Sequence, residues 1–153
     1  MRALEPWVVP PLETFLAESA ARLTLLMTSS GQVVAQHGFS RSLDVMTAAA
    51  LGAAIVASTE ELARLMGASR FEALVHNGQR QRCLLSAFAT PRGRWIGLVV
   101  FGPETSVGIV RLFFDQMVQQ LAAVAPREQP QVPMLAENFE TELDASLKAL
   151  FGR

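Results

Sequence analysis

The chain has 153 residues, half of them apolar and only 18% charged, with a formal net charge of −1. That length predicts about one domain. A charge content below the ~25% of an average soluble domain predicts a sizeable core and apolar surface for a partner. The near-neutral balance argues against nucleic-acid binding by phosphate neutralisation, and the single cysteine, Cys83, excludes an internal disulfide framework or a multi-thiolate zinc site.

The longest nearly unbroken apolar run, residues 45–57, falls short of the ~20 residues that span a bilayer. The opening MRALEPWVVPP carries an acid and prolines where a signal peptide needs an apolar stretch. No membrane insertion and a cytoplasmic location are the expectations.

Residues 1–11 read as an N-terminal arm, in which Trp7, Val8 and Val9 either add a strand or cover a neighbour. Pro10 and Pro11 open a short helix over about 11–21, because proline is tolerated in a first turn. Leu12, Phe15, Leu16 and Ala20 give it helical spacing. Leu23, Leu25 and Met27 alternate, as do Val33 and Ala35, and Ser29-Ser30-Gly31 lies between them. That pattern is a β-hairpin.

Residues 43–67 predict a long helix, with Ser42 as N-cap, Asp44 in the first turn and Gly67 at the stop. Leu51, Ile55, Leu62 and Met66 mark a face expected to meet the core. Ala49, Ala53 and Ala57, flanked by Ala50, Gly52 and Ala54, form a second stripe of small residues. Such a stripe admits close approach of another backbone, either from its own domain or from a partner.

Three strands follow, at about 69–76, 80–89 and 95–101. Asn77-Gly78 is a hairpin turn, and Pro91-Arg92-Gly93 makes the next. The third strand, WIGLVVF, is apolar on both faces and is expected at the centre of the sheet. Thr105 or Ser106 caps a helix over about 106–125, with Val110, Phe114, Met117, Leu121 and Val124 inward. The order α-β-β-α-β-β-β-α predicts an α+β domain over residues 12–125, around one five-stranded antiparallel sheet.

Pro126, Pro130 and Pro133 make 126–134 a semi-rigid linker. Residues 135–153 predict an amphipathic helix with Phe139, Leu143, Leu147, Leu150 and Phe151 on one face. A helix this short is marginal alone, so it is expected to dock.

Catalytic signatures are missing from the sequence. There is no phosphate-binding loop, and the sole lysine, Lys148, lies in the tail. His37 and His76 lack a nearby array of ligands, and Cys83 reads as a small buried hydrophobe. Arg64, Arg70, Arg80, Arg82, Arg92 and Arg94 crowd one region against Glu72. Solvated strand and loop arginines are the simpler reading, and an arginine finger for phosphoryl transfer the sharper one. Neither a cofactor nor a metal site is expected.

Residues 13–125 resemble the Roadblock/dynein light-chain family. The segments that carry the resemblance are LLMTSSGQVVAQHG, LDVMTAAALGAAIVASTEELARLMG, FEALVHNGQR and WIGLVVFGPETSVGIVRLFF, in that order. The arm EPWVVPPLETF and the tail ELDASLKALF are similar to those of the bacterial MglB branch. The resemblance implies a Roadblock-like sandwich whose sheet continues across a homodimer. It implies binding of a Ras-like small GTPase of the MglA type and activation of that GTPase without an arginine finger.

The dimer residues expected on this basis are Ala49 and Arg70, Phe71, Glu72, Ala73, Leu74, Val75 and His76. The partner-facing residues are Ala53, Ala57, Glu60, Glu61 and Arg64, and the tail contact is Phe139, Leu143, Leu147, Leu150 and Phe151. The acids Glu60 and Glu61 depart from a small-residue surface and would favour a basic patch on the partner. The alternatives are a Roadblock scaffold that binds without activating, and a small-molecule sensor that requires a closed apolar pocket.

Overall fold

The computed structural model describes residues 2–39, 43–67, 73–126 and 145–150. Six antiparallel strands form one sheet in the order β1-β3-β2-β6-β5-β4. They are β1 (Arg2–Ala3), β2 (Leu23–Thr28), β3 (Val33–Gly38), β4 (Leu74–Asn77), β5 (Arg82–Thr90) and β6 (Gly93–Phe101). Helices α1 (Val9–Ser19) and α3 (Val107–Val124) pack on one face and α2 (Val45–Leu65) on the other.

The α+β class and element order are those expected, with two additions in the arm, a short strand and a single 3-10 turn at Pro6–Val8. Arg2 and Ala3 pair with Gln36 and Ala35 and add a short sixth strand. The rest of the arm joins the core. Val8 is fully buried, and the Trp7 ring stacks on Trp95 at 5.6 Å between centroids. Trp7 and Val8 thus cover a neighbour, and the strand forms upstream of them. Pro10 and Pro11 sit in the first turn of α1, two residues earlier than predicted, where their missing N–H groups have no helical carbonyl to meet.

The strand WIGLVVF lies between β2 and β5 and is buried from Trp95 to Phe101. Leu26 and Val99 belong to the core under α1 and α3, and Leu25, Ile96 and Leu98 to the core under α2. Gly97 matters for the first of these. A Cβ there would lie 2.4 Å from Phe114 Cε2, so its hydrogen lets the Phe114 ring rest on the strand. Phe114 in turn meets Phe15 and Phe88 edge-on.

Asp44, not Ser42, caps α2. Its carboxylate accepts from the amides of Met46 and Thr47 and from the Thr47 hydroxyl. Ser42 lies outside the described residues. These bonds favour the ionised form, so the Asp44 carboxyl is held below its ordinary value, first by the Thr47 side chain. Gly67, with φ +72°, follows the last turn as expected. Ser106 caps α3 through the amide of Ile109.

Candidate partner-binding surface

The two stripes on α2 face opposite ways from the spacing-based expectation. Ala49, Gly52, Ala53 and Ala63 are the buried positions. Leu51, Leu62 and Met66 are 59%, 52% and 67% exposed. Ile55 alone of the larger stripe is partly buried. The reason is separation. A Cβ on Gly52 would already lie 3.3 Å from Leu85 Cδ2 and Met27 Sδ, and one on Gly31 in the β2–β3 turn 3.3 Å from the Ala50 Cα. Helix and sheet meet so closely that only small side chains fit between them. Periodicity reveals a face but not which face is inside, and larger apolar residues are the usual default for the interior.

This corrects two assignments. Ala49 is fully buried and Ala53 8% exposed, both against the domain's own sheet, so neither side chain is available to a second chain. Ala57 is exposed, as are Glu61 and Arg64, which pair with each other across one turn. Glu60 is partly buried and bound to Arg94 on β6, which ties it to the sheet and neutralises it. Sequence could not link Glu60 to an arginine 34 residues away.

The outward side of α2 has two flanks. Ala50 adjoins the β2–β3 turn, and Ala54, Ala57 and Glu61 follow it at helical spacing on that flank. Thr59 lines a small cleft with Ala73 and Leu74, so the opposite flank leans toward β4. Leu51, Ile55, Leu62 and Met66 fall toward this second flank.

Strand β4 is the last in the sheet. It pairs with β5 from Leu74↔Leu85 to Asn77↔Arg82, and among the described residues nothing pairs with its other edge. Ala73, Leu74 and Val75 are partly buried and His76 is exposed. Arg70, Phe71 and Glu72 lie outside the described residues, as do Phe139, Leu143 and Phe151. Leu147 and Leu150 stand in a helical stretch at 145–150 and are 43% and 78% exposed.

Among the described residues four arginines form ion pairs. Arg64 and Arg94 have the partners named above, Arg92 lies 3.6 Å from Glu5, and Arg22 bonds Glu104 at 2.8 Å. The Arg22 guanidinium holds the Glu104 carboxyl below its ordinary range. Burial pushes the Cys83 thiol up, away from thiolate chemistry. Among the described residues no cluster of His, Cys, Asp or Glu has the make-up of a metal site. The wider clefts are surface grooves with exposed residues such as Leu4, Met46 and Asp115 in their walls. By length and apolar composition α2 could cross a membrane, but one face of it is laid on the sheet.

No family model matches the sequence, and no curated protein matches it. Solved structures do. A Roadblock/LC7 domain from Streptomyces avermitilis aligns with a TM-score of 0.62 and 14% identity, over 71% of this chain and 89% of that one. MglB from Myxococcus xanthus aligns at 0.71 with 23% identity, over 79% and 96%. A central sheet with one long helix on one face and two helices on the other, ending in an open edge strand, is a Roadblock/LC7-type domain. The gliding protein MglB of Thermus thermophilus aligns at 0.69 with 30% identity, over 78% of this chain and 88% of that one. The chain belongs to the MglB family.

Proposed function

We propose that this chain is a homodimeric regulator of a Ras-like small GTPase of the MglA type, acting in the cytoplasm as a GTPase-activating protein. One observation carries the reading: an apolar stripe on α2, Leu51–Ile55–Leu62–Met66, leans toward an unpaired sheet edge. Exposed apolar side chains beside open backbone groups cost free energy in a monomer. Joining two β4 edges about a two-fold axis satisfies the backbone and brings two such stripes together. Ala73, Leu74, Val75 and His76 then lie at the sheet junction, with Arg70, Phe71 and Glu72 beside them in sequence.

The flank left outward, with Ala57, Glu61 and Arg64 joined by Ala50 and Ala54, is the partner platform. Its small residues admit a close-lying loop, and the Glu61–Arg64 pair offers charge of both signs. Among the described residues, Arg64 on this flank is paired with Glu61. Activation therefore works through the shape of the GTPase. Binding holds its switch loops in the arrangement that fits the transition state, which accelerates hydrolysis only so far as that arrangement is favoured over the ground state. The tail residues Phe139, Leu143, Leu147, Leu150 and Phe151 make a separate contact. The Thermus relative is named for gliding, and motility and cell polarity are the matching context.

The test is single-turnover GTP hydrolysis by an MglA-type GTPase, with and without this protein at saturating concentration. Acceleration is expected. Binding without acceleration would leave only the scaffold reading.

A further inference from the structure

We propose that the apolar groove between the first turn of α2 and the β1–β3 edge is the resting seat of this chain's own tail, residues 139–151. The groove encloses about 580 Å³ and is lined by Leu4, Val33, Val34, Val45 and Met46, with Gln36 as its chief polar group. Leu4 and Met46 at its rim are 76% and 79% exposed. It lies on the opposite side of α2 from the β4 edge, so the proposed dimer leaves it open.

Three features of the chain choose the occupant. The tail carries apolar residues at 139, 143, 147, 150 and 151, the spacing by which an amphipathic helix lays one face into a groove. Leu150 is largely exposed and Leu147 partly so, and the rim of the groove is exposed as well. The point of departure also fits. Helix α3 begins beyond the Phe101 end of β6 and runs back toward the Trp95 end, where Trp7 stacks, so the chain leaves α3 near the segment that contains Leu4. The 12 residues from 127 to 138 reach up to about 40 Å when extended, enough for the path around the sheet edge.

The other wide cleft, between β5 and α3, has Ser86, Arg111 and Asp115 in its wall and offers a poorer match to a leucine face. The seat has a consequence that rests on the function proposed above. A GTPase that takes the tail must first win it from the groove, so tail release and partner engagement become one equilibrium.

The docking itself is tested without any GTPase, so its failure is separate from failure of the regulatory role. In the full chain with Cys83→Ser, Met46→Cys and Leu147→Cys are introduced and the protein is mildly oxidised. A disulfide within one chain is expected, identified by mass spectrometry of the linked peptides. It should fall at least tenfold when Leu150→Asp is added, and a control pair with Leu112→Cys in place of Met46→Cys should give background. Links only between chains, equal linking from the control, or none at all would overturn the proposal. A second measurement needs no new cysteine. Peroxide should convert Met46 to its sulfoxide several-fold more slowly in the unmodified chain than in Leu150→Asp, and equal rates would overturn the seat as well.

Discussion

Leu62→Ala tests the dimer seam most directly. Leu62 is 52% exposed in the isolated chain, so about half of its side chain remains to be buried by a partner. Full burial of a leucine contributes ~1.5–3 kcal/mol, so the remaining half contributes about 1 kcal/mol. In a two-fold seam the residue occurs twice, and the variant dimer loses ~2 kcal/mol. Tenfold in Kd corresponds to ~1.4 kcal/mol, so the dissociation constant should rise about 30-fold. The monomer should lose no more than about 1 kcal/mol, because only the half of the side chain already covered by its own domain is removed from it. Sedimentation equilibrium over a dilution series reads the constant. Leu112→Ala on the outer side of α3, with a similar 55% exposure, serves as the control and should change nothing. A Leu62→Ala dimer as tight as the parent, or an equal effect from Leu112→Ala, would refute the assignment of this stripe to the seam.

Ala57→Arg should weaken GTPase binding in a pull-down through bulk and charge, with the mass in solution unchanged. Deleting residues 127–153 should leave a cooperatively unfolding dimer with altered partner affinity; loss of the thermal transition would make the tail part of the core. Gly97→Val drives a side chain into Phe114 and should cost ~1–3 kcal/mol as overpacking, read as a lower Tm by calorimetry, and an unchanged Tm would mean that the ring moves aside freely. Asp44 and Glu104 have pKa values lowered from their ordinary 3.8 and 4.5. Each therefore adds stability that is present above those values and is lost as pH falls through the lower, folded-state values. Thermal melts should show Tm falling as the medium is acidified below about pH 4.5, with a shallower fall in Asp44→Asn and Glu104→Gln.

Local chemistry makes most of the fold legible. Hairpin residues, the doubly apolar strand at 95–101 and the Ser106 cap depend on neighbours in sequence, and each is found within a few residues of its expected place. Other features depend on distances that sequence does not encode. Trp7 meets Trp95 and Glu60 meets Arg94 across the fold, with no local signal for either. The inward face of α2 is misread from spacing because leucine outside and alanine inside is favoured only when the helix lies very close to the sheet. That closeness comes from Gly31, Gly52 and the β2–β3 turn together. Of the residues expected to face a partner, Ala57, Glu61 and Arg64 remain available, and Ala49 and Ala53 belong to the interior.

The tight seating of α2 also divides the labour along one helix. Its inner positions are fixed by contact, since any added carbon at Gly52 would press on Leu85 and Met27. Its outer positions touch little of their own domain, so they can vary at small cost to folding. Recognition could then change over evolutionary time by substitutions at the exposed positions 50, 54, 57, 58, 61 and 64 while the scaffold and the proposed dimer seam stay constant. The same division makes those six positions a natural library for redirecting the proposed partner contact without rebuilding the core.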